Sequence, residues 1–236
     1  MINQNSKTAF IVVLYQTPKN DIEKLKKEIK NLKFKNHKLY FIDNTKDNRG
    51  YAGGVNSGIK KALIDNCELL IVANPDISLQ RLTGDEVLKG GEYFDLWGFA
   101  MRQDGKMYYG GEIDKWRMSG GLIRVKPRKR FVKTEWISGS LIFIKRKVVE
   151  TIGYFAEDFF MYYEDVDFCI RAKKTGYRIG IDSQLVYDHF EASKTNRQKK
   201  IWLEKSRIHF LLKHGGWMEK FYELVRLPKT IYEYIS

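Results

Sequence analysis

AFIVVLYQTPKNDIEKLKKEIKNLKFKNHKLYFIDN, residues 9–44, sets two periodicities side by side. AFIVVLY (9–15) is a continuous apolar run rich in β-branched residues, the pattern of a strand buried on both faces. Pro18 follows, and Asn20 with Glu23 offers a capping box for a helix. On that helix Ile22, Leu25, Ile29 and Leu32 recur at helical spacing, with lysines opposite. KLYFIDN (38–44) reads as a second strand. NRGYAGGVNSG (48–58) then opens a helix bearing Val55, Ile59, Ala62 and Leu63, and LLIVA (69–73) is a third strand. This alternation predicts an α/β fold with a mixed, mainly parallel, Rossmann-like central sheet flanked by helices.

In such sheets ligands bind beyond the carboxyl ends of the strands. Polar residues stand at all three ends: Tyr15-Gln16-Thr17, Asp43-Asn44 and Asn74-Pro75-Asp76. A single polar strand end is a turn, whereas three on one edge form a candidate site. Asp76 alone reads equally as a residue that stops a strand or as a metal contact.

Composition narrows the class. The 236 residues are 43% hydrophobic and 30% charged, too apolar for a disordered chain and long enough for one substantial core. No apolar run approaches the ~20 residues that span a bilayer, and Met1–Thr8 lacks the apolar segment of a secretory signal, so the cytoplasm is the expected location. Cys67 and Cys169 form no Cys-x-x-Cys pair and read as buried structural thiols. The net charge of +13, from 42 Lys+Arg against 29 Asp+Glu, favours anionic partners.

Further along, MYYGGEIDKWRMSGG (107–121) suggests hairpins or a mobile loop within residues 100–135. WISGSLIFIKR (136–146) reads as a strand, followed by a short helix closed by Gly153. Val166, Cys169 and Ile170 form a helical stripe with Gly176 as C-cap. YRIGI (177–181) and LVYDHF (185–190) read as two short strands. From Arg197 the pattern is helical and amphipathic, giving a domain at 1–195 and a helical extension at 196–236. The aromatic, basic tail suits either packing on the core or contact with the inner face of a membrane.

Three groups of residues bear on chemistry. Gly50, Gly53 and Gly54 serve a tight turn or let amides approach phosphate at a helix N-terminus. Glu164, Asp165 and Asp167 fall in the first turn of a helix, where acids complement the dipole. The apolar walls of Tyr162, Tyr163 and Phe168 also suit a general base. His189 ends a strand, and Asp76 is its candidate partner, because metal sites mix imidazole with carboxylate.

Together these pieces resemble the family 2 glycosyltransferases of GT-A fold, in particular the bacterial rhamnosyltransferase-like branch. IVVLYQT (11–17), IDNTKDNRGYAGGVNSGI (42–59), LLIVANPDISL (69–79), the segment from Trp136 to Tyr177 and LVYDHFEASKT (185–195) occur in family order. The resemblance implies that Tyr15, Thr17, Asp43 and Asn44 contact the base and ribose of a nucleotide. The Gly50–Asn56 loop, including Gly54, would lie beside the diphosphate, with Asn74 close by. Asp76 takes the metal-binding place of an Asp-x-Asp motif whose first acid is here Asn74, and His189 completes the metal contacts. Ser138, Gly139 and Glu164 would lie near the donor and acceptor sugars, and Asp165 would be the catalytic base.

The implied reaction is inverting transfer of a sugar, rhamnose among the candidates, from a dTDP- or UDP-linked donor to a glycan or lipid-linked glycan acceptor. Mg²⁺ or Mn²⁺ is the implied cofactor. A sugar nucleotidyltransferase would carry a glycine-rich basic loop where YQTPKND stands. A nucleic-acid or polyanion-binding module leaves the strand-end acids without a task, so no nucleic-acid partner is expected.

Overall fold

The computed structural model describes residues 2–190 and 197–235. Residues 191–195 of the last family-like segment lie outside that range. The chain opens with β1 (Thr8–Leu14), α1 (Lys19–Asn31), β2 (His37–Asp43), α2 (Gly50–Ile64) and β3 (Leu69–Ala73). Then come β4 (Ile77–Ser78), α3 (Gly84–Leu88), α4 (Gly90–Tyr93) and β5 (Leu96–Gln103). Four short strands follow, β6 (Lys106–Tyr108), β7 (Gly111–Asp114), β8 (Ser119–Leu122) and β9 (Phe131–Lys133). The remaining elements are β10 (Leu141–Lys145), α5 (Arg146–Ile152), α6 (Glu164–Lys174), β11 (Ile179–His189), α7 (Arg197–His214) and α8 (Trp217–Ile235).

The central sheet runs β2-β1-β3-β10-β5-β11-β4, with β6 against β5 and β9 against β11. β1 is parallel to β2 and β3, and β5 is parallel to β11; β10 runs antiparallel between β3 and β5. Two apolar layers sandwich the sheet. Ile11, Val13, Val55, Ile59, Val72 and Phe168 lie on one side, and Phe10, Val12, Leu25, Ile29, Trp97 and Phe143 on the other. Both cysteines are buried and unpaired.

Several local expectations change. Helix α1 begins at Lys19 behind Pro18 with no side-chain cap, so the Asn20–Glu23 capping box does not form; Glu23 instead pairs with Lys26. Proline's fixed φ already directs the chain into the first turn. The two short strands expected at 177–190 are one strand, β11, whose register slips between Asp182 and Val186. The strand expected at 136–146 begins only at Leu141, because Trp136–Ser140 turns the chain into the sheet edge.

The glycines of α2 seat the helix on β1. A Cβ at Gly54 would lie 2.6 Å from Val13 Cγ1, and one at Gly58 would overlap Ile11 Cγ2. Spaced four apart, the two occupy one helical face. At an exposed helical site, Gly→Ala stabilises by roughly 1 kcal/mol. Here the added methyl overpacks the interface, so Gly58→Ala is expected to lower the unfolding free energy by about 1–3 kcal/mol in urea denaturation.

Candidate active site

The ends of β1, β2 and β3 meet the entry of β10 on one edge of the sheet: Asn44 N–H donates to Leu14 C=O, and Asn74 N–H to Ser140 C=O. The turns after β1 and β2 are stitched together. Gln16 N–H donates to Thr45 Oγ1 (3.2 Å), Thr45 N–H to Asp43 Oδ1 (2.9 Å) and Tyr15 N–H to Thr17 Oγ1 (3.2 Å). The Thr45 hydroxyl and amide hold the exposed Asp43 carboxyl below its usual range. Tyr15 is exposed above this turn.

Four residues implied as nucleotide contacts also brace the scaffold. Asn44 is buried, and its amide donates to Gly50 C=O at 2.9 Å. Asn56 spends its carboxamide on Phe155 C=O, Phe155 N–H and Glu157 (2.8–3.0 Å). Gly50, at φ +71°, turns the chain against the Phe160 carbonyl, and Gly54 faces Val13 as above. The stretch Gly50–Asn56, expected as a loop, is the start of α2, and these contacts fix its position.

Past β3 the chain is anchored from below. The buried Glu28 carboxylate accepts Leu79 N–H (2.6 Å) and the Ser78 hydroxyl (3.2 Å), tying α1 to β4. Asp76 is thereby held against the end of β11. Phe190 N–H donates to Asp76 C=O, and Asp76 Oδ1 lies 3.5 Å from His189 Nε2. That oxygen is buried without a hydrogen bond. His189 Nδ1 sits 3.1 Å from Gln103 Oε1, so the ring presents Nε2 to Asp76. A carboxylate oxygen without a hydrogen bond beside an imidazole nitrogen is a pair that could take part in holding a cation. Asn74 Nδ2, 3.5 Å from the same nitrogen, closes the group. Among the described residues no cluster of three or more His, Cys, Asp or Glu side chains could hold a metal, so Asp76 and His189 act as a pair.

The acids of α6 stand at the adjoining end of β10. Asp165 Oδ2 accepts Gly139 N–H (2.8 Å), and Oδ1 accepts Val166 N–H (2.8 Å). Tyr51, in the first turn of α2, donates its hydroxyl to Gly139 C=O (2.7 Å). Ser138 and Ser140 hydroxyls lie 2.9 Å apart, and Ser140 meets the Tyr187 hydroxyl at 2.7 Å. Burial pushes the Tyr51 and Tyr187 hydroxyls well up, aided by the charges of Asp165 and Asp76.

Glu164 and Asp165 differ in their partners. Burial raises Asp165, against which its two amide donors pull. Burial and then the Asp165 charge push Glu164 well up, and its Oε2 is buried without a partner. Burial thus raises both acids, and only Asp165 has amide donors that oppose the rise.

Tyr162 and Tyr163, leading into α6, have φ of +66° and +69°, a left-handed conformation costing about 1–3 kcal/mol at each residue. The Tyr163 ring packs on Phe210 of α7, its hydroxyl accepts Gly120 N–H, and Ser206 of α7 donates to Met161 C=O. His214 and Lys213 of α7, with Arg171, converge on the fully buried Asp167 at 2.8–3.1 Å. The extension thus clamps the helix that carries Asp165.

Sequence reasoning missed Tyr51, Gln103, Ser140 and Tyr187. Two signals were present: Tyr51 is the one large aromatic in a glycine-rich helix start, and Tyr187 shares a strand face with His189.

The central sheet and its flanking helices form a fold of GT-A type, similar to that of solved glycosyltransferases, and part of the sequence is similar to curated ones. In sequence the chain is similar to the low-salt glycan biosynthesis hexosyltransferase Agl10 of Haloferax volcanii, 31% identical over 150 residues, covering 60% of this chain and 48% of that protein. The N-acetylglucosaminyl-diphospho-decaprenol L-rhamnosyltransferase of Mycobacterium tuberculosis is 36% identical over 99 residues, covering 40% of this chain and 31% of that one. The chain therefore spans half or less of the length of these relatives. No protein-family model matches it. Among solved structures, the mannosyltransferase PcManGT of Pyrobaculum calidifontis with GDP-Man and Mn²⁺ superimposes at a TM-score of 0.61 (14% identity, 88% of this chain and 63% of that one). GalNAc-T7 with UDP, GalNAc and Mn²⁺ gives 0.59 (11% identity, 87% and 47%). At such identities these two bear on the fold.

The clamp on α6 carries a pH signature. Burial would raise Asp167, but His214, Arg171 and Lys213 outweigh it and hold the carboxyl at about 2. A depressed folded value means stability present above the unfolded ~3.9 and lost as pH falls toward 2. The loss should amount to about 2 kcal/mol between pH 4 and 2. Asp167→Asn is expected to be less stable at neutral pH and to flatten that slope, measured by urea denaturation at each pH.

Proposed function

We propose that this chain is an inverting glycosyltransferase that uses a nucleotide-diphosphate sugar. The observation that carries the reading is Asp165, a carboxyl oriented by two amides on the sheet edge that also presents Asp76 and His189. The acceptor hydroxyl oxygen attacks the anomeric carbon of the donor. Asp165 takes the proton of that hydroxyl, and the nucleoside diphosphate leaves with the electron pair of the broken C–O bond. The raised pKa of Asp165 makes it a stronger base than a solvated aspartate. Glu164, its pKa pushed well up by burial and its Oε2 without a partner, would donate a hydrogen bond to a sugar when protonated.

Tyr15, Thr17 and Asp43 form the nucleotide side of the edge, and Asn74 and Asp76 the diphosphate side. Ser138 and Gly139 lie between them and Asp165, where the transferred sugar would rest. Asp76 and His189 would hold Mg²⁺ or Mn²⁺, which when bound offsets the negative charge on the departing diphosphate. The relatives' names support the choice of partners. One is a hexosyltransferase of glycan biosynthesis, and the other transfers L-rhamnose to a diphospho-decaprenol-linked sugar. We assign a dTDP- or UDP-linked donor, rhamnose as the first sugar to test, and a glycan or lipid-linked glycan acceptor.

Asp165→Asn keeps the shape of the side chain but removes the base, so kcat should fall by ~10²–10⁴-fold while donor binding persists. Glu164→Gln, replacing an acid of raised pKa by an amide, should stay within about tenfold of the unaltered enzyme. The acid limb of kcat/KM should lie above the ~3.9 of an unperturbed aspartate, and product NMR should show an inverted anomeric centre. Near-normal turnover of Asp165→Asn would remove Asp165 from the role of base.

A further inference from the structure

Helix α8 is folded with its polar side inward. Glu223 is buried and accepts both Nη1 (3.1 Å) and Nη2 (2.5 Å) of the buried Arg207 on α7. Arg207 also pairs with Glu204 and donates to Arg117 C=O (2.6 Å) at the β7–β8 turn. At 3.6 residues per turn, Glu219 and Arg226 share the inner face with Glu223. This ion pair fixes the rotation of α8 about its axis, because a bidentate Arg–carboxylate contact has one orientation.

With that rotation set, the outer face consists of Trp217, Met218, Phe221, Leu224 and Val225, spaced as one helical stripe. Their exposure is high: 77% for Trp217, 60% for Phe221 and 65% for both Leu224 and Val225. Trp116, at the β7–β8 turn, stacks at a tilt on Tyr222 (5.7 Å between ring centroids) and widens the surface. The depression between Trp116 and α8 has a volume of about 410 Å³ and is lined by apolar side chains only. A helix that served only to cover the core would present this stripe inward and leave Glu223 outside. A contiguous apolar surface held outward by a buried ion pair marks a docking face.

Charge identifies the occupant. Lys115, Lys220 and Lys229 are exposed beside the stripe, on a chain of net charge +13. A second copy would bring the same positive rim against itself, whereas anionic headgroups complement it. Tryptophans bordering an apolar stripe suit the boundary between headgroup and acyl chain. No helix among the described residues is long and apolar enough to cross a bilayer, so α8 lies in the plane of the surface. We propose that α8 and Trp116 form an in-plane anchor for an anionic phospholipid membrane. The proposal stands independently of the transfer reaction, since it uses none of the residues on the sheet edge.

The full chain, mixed with phosphatidylcholine vesicles with and without phosphatidylglycerol, is the test. Co-sedimentation should require the anionic lipid and weaken with salt, and brominated lipids should quench tryptophan emission. Phe221→Ser with Leu224→Ser and Val225→Ser, all on exposed positions, should weaken binding by about tenfold or more. Lys115→Glu with Lys220→Glu and Lys229→Glu should remove the preference for anionic lipid, which serves should the first variant fail to fold. No binding to anionic vesicles, or equal binding by the folded serine variant, would overturn the proposal. So would a dimer in sedimentation velocity that the serine variant abolishes, because the face would then belong to a second copy.

Discussion

One residue, Gly139, joins the three elements around the candidate site through both of its backbone groups. Gly139 donates its N–H to Asp165 at the start of α6, and its carbonyl accepts the Tyr51 hydroxyl at the start of α2. Residue 139 itself leads into β10, whose Leu141 lies opposite Ala73 at the end of β3. A Cβ there would lie 3.3 Å from the Tyr51 ring and 3.4 Å from Asp165 Cβ, tighter than side chains ordinarily pack. The same residue positions a base and orients it, because the Oδ2 that accepts Gly139 N–H keeps the carboxylate from rotating.

Placing Asp165 at the sheet edge requires strain elsewhere. The left-handed pair Tyr162–Tyr163 brings Glu164 and Asp165 to the sheet edge, and α7 offsets the cost through Phe210, Ser206 and the buried Asp167. The C-terminal helices therefore have two distinct sides. The side facing α6 supports the acids, and the outer side of α8 is the proposed membrane face.

Much of the framework was legible in residues 9–73. The buried runs at 8–14 and 69–73 contain too many consecutive apolar residues for a surface element, and the helical stripe between them left one arrangement. The insertion of β10 between β3 and β5 was not legible, because LIFIK has the same composition as a parallel strand. The bulge that makes residues 179–189 one strand was hidden for a related reason, since Asp182 and Ser183 read as a turn but are buried and bound to Arg130 and Lys129. Asp76, His189 and Asp165 were legible as acids and imidazole at element ends. The bracing contacts of Asn44, Gly54 and Asn56 were not, because a buried brace and a ligand contact use the same residue types. Only the partner, Val13 or Phe155, reveals the brace.

On the proposed reading, the edge holding Asp43, Asp76 and His189 receives a nucleoside diphosphate together with a divalent cation. Thermal-shift titration of UDP, dTDP, GDP and CDP, each with and without Mn²⁺, addresses it directly. Ligand at a hundred times Kd stabilises by about 2.7 kcal/mol. For a chain of this size that corresponds to a rise in Tm of about 5–10 °C. The account predicts such a rise for at least one nucleotide, larger with Mn²⁺ and reduced in Asp76→Asn. Unchanged melting with all four nucleotides at millimolar concentration, with Mn²⁺ present, would contradict it.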